Sequence, residues 1–423
     1  MPKTPRLSQA APASNHLLLA LSFTQTFAQG HWWLALPFAL KALGGSDTHV
    51  GLALALNMGA YAVALTLAGR TIYRFRSHTL VRIATLAGCL LTAFLAALLI
   101  AGHYGHALPC PIPLVLATTT ALGILLAAFW PPLVEWISSQ SAGHQLNQHL
   151  GRFSLSWSLG TLLSPYVAGW LTQLNPIYPI AVAVAYLALG ALFAFLAKPT
   201  IPAERPLSSS RSDSSPALLL PCSSDSLTPG PRPLTPQARA TLYRHLSRIA
   251  LFAVFVPVGL SRTQLPLLFK FELGLTESNY GLALTCTFLA STLIYILLGR
   301  TSRWHYRPGL FIAAQLAVAL FLLLTLTASH LPLLMIATTA LGLGGAFTYA
   351  SHLYYGVSSH PSRTSAMATH EFILAAGFAL GAVGGGQLSD HLGHYAPYYL
   401  GLAALTVAAP AQLLLAHLRR RSG

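Results

Sequence analysis

Gly69-Arg70-Thr71-Ile72-Tyr73-Arg74-Phe75-Arg76 is a basic island between two long apolar runs. It has a second copy 230 residues later, Gly299-Arg300-Thr301-Ser302-Arg303-Trp304-His305-Tyr306-Arg307, in the same kind of setting. A charged loop pinned between hydrophobic segments, and then repeated, is the pattern of a duplicated chain that crosses a bilayer many times. Composition agrees. The 423 residues are 54% hydrophobic and 8% charged, with a mean hydropathy of +0.60. Soluble proteins use roughly 25% charged residues, so this chain has too little charge to cover a water-facing surface.

Working outward from the two loops, apolar runs of about 18–28 residues begin near 16, 50, 80, 111, 152 and 176, then near 249, 279, 308, 331, 367 and 395. Each is long enough to cross a hydrocarbon core of roughly 30 Å. The halves align by subtraction. Pro37 and Lys41 match Pro266 and Lys270 at an offset of 229, and Gly51 and Gly69 match Gly281 and Gly299 at 230. Ala121-Leu122-Gly123 match Ala340-Leu341-Gly342 at 219, and Gly160 and Gly169 match Gly377 and Gly386 at 217. Parallel six-span repeats related by an axis along the membrane normal are a transporter architecture.

The expected fold is therefore an all-α membrane protein with twelve transmembrane helices in two pseudo-symmetric six-helix bundles. The expected parts are a tail at 1–14, bundles at 15–198 and 247–417, a cytoplasmic linker at 199–246 and a basic tail at 418–423. Pro, Ser and Arg dominate the linker, a composition that buries too little apolar surface to fold. A short surface helix over Pro236–Ser247 is the one element it could hold. Lys3 and Arg6 ahead of an apolar run resemble a signal peptide, but the run continues to about Leu43 and has a repeat partner, so we expect a retained first helix.

With both termini cytoplasmic, every Lys and Arg falls on the inner side except Lys41, Lys270 and Arg262, which predicts that orientation in the inner (plasma) membrane. The formal net charge of +15 would suggest nucleic acid in a soluble protein. Here it lies in loops, so we expect no nucleic-acid partner. Cys89, Cys110, Cys222 and Cys286 show no paired spacing, and neither a disulfide framework nor a metal or cofactor site is expected.

The basic loop resembles the signature loop of the major facilitator superfamily: glycine, three residues, Asp-Arg, any residue, glycine, then basic residues. Gly69 and Arg74 fit, with Arg70 among the three residues between; Tyr73 replaces the aspartate and Arg76 the second glycine. The second copy supplies Gly299 and Arg300. Losing the aspartate removes the carboxylate from the gating interaction the family builds there. Helix five, Gly160-Thr-Leu-Leu-Ser164-Pro165-Tyr-Val-Ala168-Gly169, is similar to the antiporter pattern of that superfamily; equally, spaced small residues let helices pack closely in any bundle. The resemblance implies a central cavity lined by helices one, four, seven and ten, and a proton-coupled cycle.

An ionisable group within a membrane span is a functional candidate by default. Arg262 lies about 13 residues into helix seven, close to mid-depth at 1.5 Å per residue. It could anchor an anionic group of a solute, or make an interhelix bond. At the matching depth of helix one are His31, Trp32 and Trp33, with Gln25 and Gln29 before them; Gln264 and Tyr349 are lesser substrate candidates. Aromatic faces could stack on a ring and the histidine could titrate, or both could pack. Glu135, Arg152, Arg363 and Glu371 lie at helix ends on the inner side. They could pair there as a cytoplasmic gate when the protein opens outward, remain solvated, or, for Glu135 or Glu371, couple the proton. Helix one lacks the acidic residue of several sugar symporters.

The expected function is secondary active transport, by a protein expected to be monomeric, of a small polar organic solute that an anionic group would suit. The alternatives are multidrug efflux and a non-transporting sensor or scaffold. An enzyme is disfavoured by the lack of a nucleophile–base or metal-ligand set.

Overall fold

A computed structural model describes residues 12–68, 75–104, 111–138, 143–198, 235–358 and 363–421. These form twelve long helices, and no strand occurs among the described residues. The first six are α1 (Pro12–Ala42), α2 (Asp47–Ala68), α3 (Ser77–His103), α4 (Pro111–Ser138), α5 (Gly143–Leu174) and α6 (Tyr178–Leu196). The second six are α7 (Pro236–Thr263), α8 (Glu277–Arg300), α9 (Pro308–Thr327), α10 (Leu331–Ser358), α11 (Arg363–Leu392) and α12 (Ala396–Arg421). Beyond Thr263, α7 continues as a short turn, Leu265–Leu267, and a π-helical turn, Leu268–Glu272. Pro266 sits in that break, because proline cannot supply the N–H of a regular helix interior. Its repeat partner Pro37 stays within a continuous α1.

The sequence offsets reappear as matched contacts. In α2, Asn57 donates from Nδ2 to the Thr119 carbonyl of α4 at 2.8 Å; in α8, Thr287 donates from Oγ1 to the Thr338 carbonyl of α10 at 3.0 Å. Gly123 lies against the Asn57 backbone and Gly342 against that of Thr287. Likewise Gly160 meets Phe23 of α1, and Gly377 meets Phe252 of α7. A side chain at these glycines would overlap main-chain atoms, so the small residues of the helix-five pattern serve close packing here. Between the halves, Gly51 and Gly386 bring α2 against α11, while Gly169 and Gly281 bring α5 against α8.

One apolar core joins α1–α4 and α6 and takes in Ala375, Phe378 and Ala382 of α11. A second joins α7–α10 and α12, and takes in Leu34 and Phe38 of α1 and Ala168 of α5. The outer faces carry exposed Leu67, Leu90, Trp170, Leu192, Leu297 and Leu316. So wide an apolar surface suits a lipid solvent and would drive association in water. Ten helices are long and apolar enough to cross a membrane by length and composition; α1 and α5 are not among them. Both carry polar residues such as Gln29 and Ser164 on inward faces, which lowers their hydropathy.

Three expected boundaries move. Residues 236–246, assigned to the disordered linker, are helical: Thr235 caps α7 by accepting from Ala238 N at 3.2 Å, with Pro236 in the first turn. The helix runs unbroken into the apolar stretch, so no separate surface helix exists. Similarly α1 begins at Pro12, inside the expected tail, and α12 runs to Arg421. Residues 199–234 lie outside the described part of the chain.

Candidate functional site

Helix α1 builds one wall. Thr26, Gln29, Gly30 and Trp33 recur at helical spacing and share a face, because a residue and those three and four positions on lie above one another. That face lines a cavity of about 880 Å³. The other walls come from Tyr61 and Leu65 of α2, Trp130, Pro131 and Glu135 of α4, and Phe153, Trp157, Thr161 and Ser164 of α5. From the second half come Arg262 of α7, Phe288 of α8, Tyr349 of α10, and Met367, Ala368 and Glu371 of α11. Both halves thus share one chamber. It reaches exposed Glu135 near the end of α4 and exposed Met367 in the first turns of α11.

Arg262, half-buried, lies with its guanidinium carbon 4.5 Å from the centre of the Phe288 ring. A guanidinium over an aromatic face is attracted by the ring quadrupole, but that leaves its N–H donors unspent toward the cavity. No carboxylate pairs with it among the described residues. Glu371 has the Tyr61 phenol within hydrogen-bonding reach and Tyr349 beside it. It too lacks an ion-pair partner among the described residues. The chamber therefore holds one guanidinium, two carboxylates (Glu135 and Glu371) and three tryptophans.

Of the sequence candidates, Arg262, Trp33, Gln29, Tyr349, Glu135 and Glu371 are brought together here. His31 and Gln264 are not. His31 is fully buried, with Nδ1 2.7 Å from the Phe27 carbonyl and its ring against Phe27, which in turn packs on Tyr186; it lies on the α6 side of α1. Gln264 is buried at the α7 break, against Gly385. Trp32 packs in the first core. Arg152 is exposed and lies by His149 and Asn15 outside the chamber. No ion pair joins Arg152, Glu135 and Glu371, and the Arg363 side chain is outside the described part. Gly69, Arg70 and Arg74 also lie outside it.

The second basic loop is described. Gly299 and Arg300 are exposed at the end of α8. Trp304 behind them is buried and donates to the Leu298 carbonyl at 3.2 Å. Tyr306 holds a left-handed φ of 56°. Its N–H donates to the Tyr355 hydroxyl at 2.7 Å and its carbonyl accepts from the Tyr243 hydroxyl at 2.5 Å. Aromatic stitching, not an acidic residue, fixes this copy.

A further group escaped the sequence reading. At the far end from Glu135 and Met367, Lys41 donates to Asp47 at 2.8 Å. Asp47 also accepts from Ser389 and lies 3.1 Å from His394. The Asp390 carboxylate accepts from the backbone N–H groups of Asp47 and Thr48, both at 2.9 Å. A residue of α11 thus caps the first turn of α2, where a carboxylate is favoured by the helix dipole. The repeat is present at the other interface: Lys270 pairs with Glu277, and Ser278 donates to Gln173 of α5 at 2.6 Å. One signal was readable beforehand: Lys41–Asp47 and Lys270–Glu277 recur at offsets of 229 and 230.

No curated protein matches the chain significantly in sequence. Among solved structures, the nucleoside transporter NupG superposes with a TM-score of 0.69 at 13% identity, covering 95% of this chain and 98% of that one. A POT family transporter in complex with a thioalcohol-conjugated peptide gives 0.73 at 12%, covering 96% and 97%. A bacterial homologue of the human lysosomal transporter Spinster, inward-facing and unoccupied, gives 0.63 at 15%, covering 97% and 98%. At these identities the likeness is one of fold. The profile of the Major Facilitator Superfamily matches residues 18–267 and 248–422, and with a match of that extent the chain belongs to the major facilitator superfamily of multi-pass membrane transporters.

Proposed function

We propose that the protein is a twelve-span, proton-coupled secondary transporter of a small polar organic solute, working by alternating access. The observation that carries this reading is the chamber shared by both halves, lined by Arg262 and Glu371, neither of them ion-paired among the described residues, with the halves hydrogen-bonded to each other at the Asp47–Asp390 end. A volume of about 880 Å³ lies in the range of small-molecule sites. Arg262 suits the anionic group of the solute, since its planar fork of donors matches carboxylate or phosphate.

With both termini cytoplasmic, the chamber faces the cytoplasm, and the Lys41–Asp47–Ser389–Asp390 group is the closed outer gate. The inner gate would bring Glu135, Arg152, Arg363 and Glu371 together after the halves rock, with Glu135 or Glu371 taking the coupled proton. In this reading the protein is a monomer in the plasma membrane and residues 199–234 tether the halves. The aromatic walls also fit multidrug efflux, a second reading. The test is uptake of labelled organic anions, amino acids, dipeptides and nucleosides into proteoliposomes, with and without an imposed pH gradient. Saturable flux that responds to the gradient supports the proposal; no flux across the panel contradicts it and favours a sensor.

A further inference from the structure

Arg262 and Glu371 line one chamber, and neither forms an ion pair with the other or with any described residue. Arg262 rests on the Phe288 ring; Glu371 has the Tyr61 phenol within hydrogen-bonding reach. An ionised group inside a membrane protein costs several kcal/mol unless it faces water or a partner. Two such groups of opposite sign, held apart instead of collapsed onto each other, leave two unspent electrostatic demands in the same volume. A simple anion answers Arg262 and leaves Glu371 facing a like charge. A simple cation does the reverse. The same chamber is lined by the indoles Trp33, Trp130 and Trp157, which offer flat faces to a ring.

We propose that the solute is amphoteric and carries a planar or aromatic body, with its anionic end at Arg262 and its cationic end at Glu371. This assignment rests on the reading of the chamber as a transport site and narrows its substrate class. Under it, the Glu371 carboxylate holds either a proton or the cationic end of the solute, never both, so solute entry at that carboxylate displaces a proton.

The experiment measures thermal unfolding and calorimetric binding on the purified full chain with two matched sets of probes. One set is tryptophan, indole-3-propionate and tryptamine. The other is the dipeptide Phe-Ala, its N-acetyl form and its C-terminal amide. In at least one set the doubly charged member should bind about tenfold or more tighter than either singly charged one, the scale of a charge-assisted hydrogen bond. Glu371→Gln should bring the zwitterion down to the singly charged anion, and Arg262→Gln down to the singly charged amine. If the anions bind as tightly as the zwitterions and Glu371→Gln changes nothing, the amphoteric assignment is overturned while the transport reading stands. The same holds if the amines bind best and Arg262→Gln changes nothing. Absence of binding by every probe overturns the assignment; absence of flux across the wider panel as well removes the transport reading with it.

Discussion

Asp390→Ala should open the Asp47 end of the protein, the outer end in the proposed orientation. In the present state the Asp390 carboxylate accepts two backbone N–H groups from the first turn of α2, each at 2.9 Å. The halves meet there nowhere else through a charged cap among the described residues. A lost N-cap costs about 0.5–2 kcal/mol and a hydrogen bond to a charged group about 1.5–3 kcal/mol. Thr48 N is at an exposed position, so water replaces part of the loss and the low end applies, about 1.5 kcal/mol. That figure favours a state open at this end by about tenfold: a state populated at about 1% rises to about 10%. Spin labels at exposed Ala42 and Leu392, on α1 and α11, report the opening as a second, longer distance in pulsed electron resonance. Asp390→Asn keeps an acceptor oxygen without the charge and should give an intermediate population. An unchanged distance distribution in a folded Asp390→Ala protein would refute the cross-half cap as a gate.

Three further outcomes follow from other contacts. Gly281→Val places a branched side chain against the Pro165 carbonyl of α5; overpacking of about 1–3 kcal/mol should lower the unfolding midpoint and widen the same label distance, and an unchanged midpoint would contradict the close approach. Tyr355→Phe strips the acceptor from Tyr306 N–H, at a residue already held at φ 56°, so it should destabilise by about 1–2 kcal/mol in thermal unfolding; a neutral effect would mean the loop is fixed otherwise. Glu371→Gln should abolish pH-gradient-driven accumulation in vesicles while Glu135→Gln, at the exposed mouth, weakens it less; the reverse order would move the proton site to Glu135.

Much of the architecture was legible because duplication leaves arithmetic in the sequence. The offsets that aligned Gly123 with Gly342 and Gly160 with Gly377 mark places where a main chain touches a neighbour, and glycine alone permits that. Arg262 was legible because a lone arginine in an apolar run has few bland explanations. His31 and Gln264 were placed by depth alone. Depth says how far along a helix a residue sits but not which way it faces, and the face was set by the spacing of Thr26, Gln29, Gly30 and Trp33. Asp390 was not legible as a partner of Asp47, since 343 residues separate them and no local pattern links a helix C-terminus to a distant N-terminus. Tyr61 was missed for a related reason: it reads as one more apolar residue of α2 until α11 brings Glu371 beside it.

The central claim is that the shared chamber carries a solute across the membrane by way of Arg262. It is tested most directly by flux of the tightest-binding solute into proteoliposomes holding either the native protein or Arg262→Gln of equal thermal stability. Saturable uptake in the first and its loss in the second is the predicted result. Equal uptake by both, or binding without uptake by the native protein, would contradict it.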